Sequence, residues 1–213
     1  MAAPAEKTIK DLNGRWTMNK TISNDTDPIL SLQGISWLTR KTIGLATITL
    51  HVKQYNDDAG ISHVDIAQTL TGGISGTTEQ RVLGWEEHEH TDHIFGTVRG
   101  RSRYVRGTAP ADGKVRPDVE VQTKAGDEQV AVTKFLKGET LADGSEVEGF
   151  VAGEGEDSWV QSWVESVNDG WTAEQVWGFE VIDGVRRYTR RVVAEKNGKV
   201  IKARLVYDYL GSE

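Results

Sequence analysis

Along much of the chain, apolar and polar residues alternate with a period of two, the pattern of strands with one buried face. The segment "GRWTMNKTI" puts Trp16, Met18, Lys20 and Ile22 on one side. Next comes "NDTDPILSLQ", where Asn24 or Asp25 can cap a helix and Pro28 sits in its first turn. Gly34 breaks that helix, Ser36 can cap a second one over "WLTRKTI", and Gly44 ends it. Two helices this short cannot form a domain alone, so the pair must pack on something. "LATITLHVKQY" and "ISHVDIAQTL" flank "NDDAG", and "TTEQRVLGWEE" and "HIFGTVRGRSRYV" flank "HEHTD", which predicts two hairpins. Toward the C-terminus four strand-like runs are joined by "NDG", "IDG" and "KNG", strong signals for tight hairpin turns.

The spacing predicts an all-β protein: an up-and-down antiparallel meander of about ten strands, closed into a barrel to hide its edges, with the helix pair within 24–44 covering one end. The stretch 107–157 breaks the pattern. It is rich in glycine and acid, and residues 139–157 hold seven acids and no base. It is expected to be a long, mobile insertion in a single barrel domain spanning 1–213, with a flap carrying Phe135, Leu136 and Phe150 as the alternative.

Composition narrows the uses. A formal net charge of −7 argues against nucleic acid as a partner. The absence of cysteine removes disulfides and thiolate chemistry. With no apolar run near the length of a membrane span and no leader-like start, the expectation is a cytoplasmic protein, its oligomeric state open.

The order Gly14-x-Trp16 on a first strand, a helix pair ending in "GISWLTRKTIG", and a meander ending in "RLVYD" resembles the calycin superfamily, most closely the intracellular fatty-acid-binding proteins and lipocalins. The resemblance covers roughly residues 11–106 and 158–210. It implies a lidded barrel, with Trp16 plugging one end and a basic residue of the last strand, Arg204, packed over the indole. In fatty-acid-binding proteins an Arg-x-Tyr on the last strand commonly holds the ligand carboxylate. Here Tyr207 matches the tyrosine, but Leu205 stands in the place of the arginine.

Candidate chemistry follows from residues that share a face. Trp159, Gln161 and Trp163 share one, as do Trp171, Gln175, Trp177 and Phe179; together they are expected to form an aromatic ligand wall, with Tyr188, Arg190 and Tyr207 as further ligand contacts. Arg99, Arg101 and Arg103 share a face expected to point outward, since unpaired guanidiniums are costly to bury. His51 and His63 have matching parity on facing strands. With Arg190 they are the catalytic candidates if the protein is an enzyme. His88, His90 and His93 invite a metal reading, but their acidic, turn-like setting argues against it, and no metal or cofactor is expected. Haem binding is disfavoured because no histidine follows His93. Two functions remain: binding of a lipid-like, isoprenoid or polycyclic molecule, or a cofactor-independent isomerase or cyclase acting in the same cavity.

Overall fold

The computed structural model describes residues 1–109, 112–152 and 157–212. Twelve strands and three α-helices follow one another along them. β1 (Gly14–Met18) leads into α1 (Asp27–Leu32) and α2 (Trp37–Leu45). A meander follows: β2 (Thr49–Asn56), β3 (Ser62–Leu70), β4 (Ile74–Val82), β5 (His88–Asp92) and β6 (Gly96–Thr108). Then come β7 (Arg116–Pro117), α3 (Gln129–Leu136) and β8 (Phe150–Val151). Four long strands finish the chain: β9 (Asp157–Ser166), β10 (Thr172–Ile182), β11 (Val185–Lys196) and β12 (Lys199–Gly211).

Ten of these strands form one curled antiparallel sheet in the order β4-β3-β2-β1-β12-β11-β10-β9-β6-β5. Past the end of β4 the chain touches β6 again, through a bridge between Gly84 and Arg103 and a 2.9 Å hydrogen bond from Trp85 N–H to the Ser102 carbonyl. The turns predicted at "IDG" and "KNG" are present: Asp183 and Gly184, and Asn197 and Gly198, all have positive φ, as two-residue hairpin loops of the primed type require.

The helix starts also follow their sequence signals. Ser36 Oγ accepts from Thr39 N–H, and Pro28 lies in the first turn of α1. Lys20 Nζ donates to the Ile43, Gly44 and Ala46 carbonyls at the C-terminal end of α2, tying that helix to the end of β1. Gly44 does not stop α2, which runs one residue further. A second difference is that "HEHTD" is not a turn. It is strand β5, paired with β6, and the reversal falls at residues 93–95.

Trp16 is fully buried, as expected. Its Nε1–H donates to the Leu12 carbonyl at 2.8 Å, and its ring packs on Tyr209, Tyr188 and Phe179 at 4.8, 5.3 and 6.3 Å. The N-terminal residues Ala3, Ile9 and Leu12 close this end from outside. Gly14 is required here: a Cβ would sit 2.7 Å from the Gly211 carbonyl oxygen. Arg204, however, does not cover Trp16. It pairs with Arg191 across β11 and β12 and bonds Glu180, on the opposite face of the sheet from Tyr207 and Tyr209.

The stretch 107–157 also departs from expectation in its described part; residues 110–111 and 153–156 lie outside the described residues. Val132, Phe135 and Leu136 of α3 are fully buried, packed with Phe150 on Val105, Trp159, Val176 and Val193 of the sheet's outer face. Arg191 anchors the end of α3. It makes a two-pronged pair with Glu180 (2.9 and 3.1 Å) and donates to the Phe135 and Thr140 carbonyls.

Two stability outcomes follow. Trp16→Ala is expected to cost about 3–5 kcal/mol in chemical denaturation, as aromatic deletions in cores do; a variant that unfolds like the parent would remove the plug role. Excising residues 112–152 bares the apolar face around Trp159 and Val176, so it should give insoluble or molten protein rather than a trimmed, cooperatively melting one.

Candidate functional site

The interior divides into two zones. Around Trp16 it is filled by side chains. Between that zone and the helix pair lies a cavity of about 400 Å³. Ile29 and Leu30 of α1 and Ile43 of α2 border it on the helix side, and Leu50, Val164, Trp171, Ala173, Val192 and Leu205 line its sheet walls.

Register decides which candidates reach it. Ala173 lies opposite Val164, Gln175 opposite Ser162 and Trp177 opposite Val160, so these residues face inward together. Trp163 pairs with Glu174 and Gln161 with Val176, which places Trp159, Gln161 and Trp163 on the outer face. The single aromatic wall expected from the sequence is therefore split across both sides of the sheet. Trp159 packs edge-on to Phe150, and Gln161 is bonded to Glu174, the Glu120 carbonyl and Arg103. Trp163 lies beneath Arg101. Arg101 and Arg103 do point outward, stacking on Trp85 at 4.6 and 4.1 Å. Phe179 faces inward but belongs to the packed zone around Trp16, not to the cavity lining.

The histidine candidates fall away from the cavity. His51 pairs with Ala67, and His63 with Tyr55, four residues apart along the strand, so they are not cross-strand neighbours. Their face is opposite the one carrying Leu50, Val52, Val64 and Ile66. His51 Nε2 bonds Thr69, while His63 bonds Asp57 and stacks on Tyr55.

Arg190, Tyr188 and Tyr207 do come together, at the border between cavity and packed zone. Arg190 is 3 % exposed. Its Nε donates to Tyr188 Oη at 2.9 Å, its Nη1 to Glu79 at 3.1 and 3.3 Å, and its plane lies 4.1 Å over the Trp177 ring. Leu205 is its direct cross-strand partner. Tyr207 lines the cavity beside it.

Glu79 is the residue that sequence reading passed over. In "TTEQRV" it looks like one more polar residue on a solvated strand. Its partner across the β3–β4 ladder is Ile66, a fully buried residue, and that register turns Glu79 inward. Gln68 and Arg81 also bond its carboxylate, at 3.3 and 3.2 Å. Burial raises the Glu79 pKa, but Arg190 and Arg81 outweigh it and hold the group down at about 2. Burial likewise pushes Tyr207 up to about 12 and raises Tyr188. At neutral pH the cluster is therefore a carboxylate, two guanidiniums and two neutral phenols.

Among the described residues no group of His, Asp and Glu has the arrangement of a metal site, and no helix is long and apolar enough to cross a membrane.

The Glu79 shift has a measurable consequence. A depressed carboxyl pKa contributes stability that is present above about pH 4.5 and is lost as pH falls toward 2, amounting to about 3 kcal/mol. Denaturant midpoints measured from pH 5 down to about 3 should fall for the parent. They should fall less steeply for Glu79→Gln, which begins less stable because Arg190 stays buried without its partner. Parallel slopes would show that Glu79 titrates normally.

No family model matches the chain. Its fold is like that of a fatty-acid-binding protein: fatty-acid-binding protein 1 of Echinococcus granulosus superposes with a TM-score of 0.52 over 94 % of this chain and 98 % of that one, at 14 % identity. At the level of sequence, pericyclase pydY of an Acremonium species is 28 % identical over 99 % of this chain and 98 % of its own length. The probable pericyclase scpY of Mollisia scopiformis is 32 % identical over 100 % of this chain and 96 % of its own. An identity of this size over the whole length leaves no room for a shared fold alone: the chain belongs to the family of the probable pericyclase scpY.

Proposed function

We propose that this protein is a cofactor-independent pericyclase that folds a flexible, largely apolar polyene into its reacting shape. The observation that carries the reading is a cavity of about 400 Å³ with apolar walls and a charged floor on which Arg190 is paired with Glu79, in a chain whose full-length relatives are named pericyclases. Cavities of a few hundred Å³ suit small organic ligands. In this reading the curled sheet closes into a single barrel domain through the contact of residues 84–85 with β6. The helices α1 and α2 form the lid, and the protein works in the cytoplasm.

A pericyclic step moves electrons around a ring of reacting atoms within one molecule. Substrate and product are isomers: π bonds become σ bonds, and no proton, electron pair or group passes to the protein. Such a step needs no nucleophile or general base. The barrier falls when the chain is held with its reacting carbons in contact, and when a fixed dipole stabilises the charge that shifts toward a conjugated acceptor. Ala173, Val164, Val192, Leu205 and Trp171 supply the shape, and the floor around Arg190, Tyr207 and Gln175 supplies the polarity. His51 and His63 have no part in it.

The fold and the apolar lining also support a carrier for a hydrophobic molecule, and turnover separates the two. A linear substrate carrying a conjugated diene tethered to an α,β-unsaturated carbonyl should lose its diene absorbance and give an isomer of unchanged mass. A catalyst converts many equivalents, whereas stoichiometric uptake without conversion makes the protein a carrier. Ala173→Leu pushes a larger side chain into the cavity. It should leave the melting temperature unchanged or higher while lowering turnover at least about tenfold, because shape, not a reactive group, supplies the rate.

A further inference from the structure

Arg81 of β4 brings a second guanidinium to the cavity, and the ladder turns it inward. Its partner on β3 is Val64, a fully buried residue. It stands two residues beyond Glu79 on the same face and lines the cavity with it. Its Nη2 donates to Glu79 at 3.2 Å. Nε is enclosed and has no partner among the described residues. Nη1 has no partner among them either, but it is absent from the enclosed atoms and so keeps open surface. The side chain is 16 % exposed, and the space it borders is the cavity.

Glu79 has little left to offer it. Its two oxygens already accept from Gln68, Arg190 and Arg81 Nη2. The other acids that border the cavity are engaged elsewhere. Glu89 pairs with Arg99, and Asp92 accepts from the Ile94 and Phe95 N–H groups in the β5–β6 reversal. His88, His90 and Tyr207 also border it, and none of them supplies a negative charge at neutral pH. The floor thus holds two guanidiniums against one carboxylate. A guanidinium N–H in so enclosed a place is costly without an acceptor, and the cavity is where one can enter.

We infer that Arg81 is a catalytic residue, its free Nη1–H donating to a substrate carbonyl oxygen that is conjugated with the reacting alkene. The inference rests on the reading of this cavity as a pericyclase site and adds the group that meets the substrate's polar end. As the ring closes, electron density moves from the diene through the alkene toward that oxygen. The surplus positive charge on the floor stabilises the oxygen more as it becomes negative. The contact is therefore stronger in the transition state than in the bound substrate. All bonding electrons stay within the substrate, and no proton leaves Arg81. Glu79 is a positioning residue, holding Nη2 and leaving Nη1 to the ligand. The same surplus charge favours any ionised oxygen placed there, which makes the inference measurable without a natural substrate.

A para-nitrophenol carrying an octyl chain reports charge at an oxygen directly, because its phenolate absorbs in the visible. Burial alone raises the pKa of a phenol, and an adjacent unpaired cation lowers it. Bound to the full-length parent, the probe should ionise at lower pH than it does free in solution. Arg81→Met should raise the bound midpoint by at least about one unit. That change removes the charge, keeps a long side chain and leaves the Glu79–Arg190 pair in place. With the tethered diene–enone substrate the same variant should lower kcat at least about tenfold, with a smaller rise in KM. A bound probe with equal midpoints in parent and variant, or an unchanged kcat, overturns the inference and leaves the cavity as a ligand site. A parent midpoint at or above that of the free phenol also overturns it, and decides the matter if the variant does not fold. A parent that binds the probe but turns nothing over ends the pericyclase reading, and the catalytic role with it. Binding of the probe to neither protein overturns the reading of the cavity as the ligand site, and the inference falls with it.

Discussion

A guanidinium inside an apolar sheet has to be compensated where it stands, and much of this interior is arranged around that requirement. Arg190 projects from β11 to the inner face, where water cannot solvate it. Glu79 reaches it from β4, on the far side of the curled sheet, and Tyr188, Trp177 and Tyr207 enclose the rest. The pair thus links strands that are distant along the hydrogen-bonded path. It also marks where packing ends and the cavity begins. Below it the interior is filled around Trp16, and above it there is room for a guest. Buried ion pairs of this kind are weak sources of stability, because desolvation consumes most of the attraction. Their use lies in fixing geometry, and here the geometry fixed is the floor of the cavity.

The wall carrying Ala173, Gln175 and Trp177 is held from both sides. On its outer face Glu180, Arg191 and Arg204 make a second charged cluster, and Arg191 ties the sheet to the carbonyls at the end of α3. Glu174 accepts the backbone N–H groups of Gln122 and Thr123 and the Gln161 amide. Glu174 and Arg191 on this outer face thus find polar partners in the segments around α3, while Phe135 and Leu136 supply apolar cover. β10 and β11 are consequently buried on both faces, an unusual condition for antiparallel strands, most of which have one wet side. Strands clamped in this way resist breathing. A catalyst that works by imposing a shape gains from that stiffness more than one that works through a mobile reactive group.

This double burial also explains what the sequence hid. The hairpin turns, the Gly14–Trp16 start and the helix caps were legible because each depends on a few neighbouring residues with specific backbone needs. Facing was another matter. Alternation identifies the inner side of a strand only when the other side is polar. In "SWVQSWVESV" tryptophans and valines occupy both parities, so nothing local shows that Trp163 is outside and Val164 inside. Arg204 was assigned by analogy to the last strand, although its parity already set it apart from Tyr207. Glu79 was obscured for the converse reason: its polar neighbours imitate a solvated strand, and only pairing with Ile66 shows that it turns inward. For Arg190 and Tyr188 the signal was stronger, because either face of "RRYTRR" carries arginine, so whichever face turns inward buries a charge.

The fold's usual polar device and the one found here differ in where the counter-charge comes from. When a buried arginine lacks an internal carboxylate, the ligand must bring one, and binding energy goes into the ground state of an acid held at its head. Supplying the carboxylate from β4 removes that demand. A guest in the proposed site can then be held by the apolar walls along its length, contacts that can tighten as a chain coils. Binding that improves toward the transition state accelerates a reaction, whereas binding that is complete at the outset does not. On this ground an arginine already paired within the fold suits the proposed folding of a guest into a ring better than simple carriage.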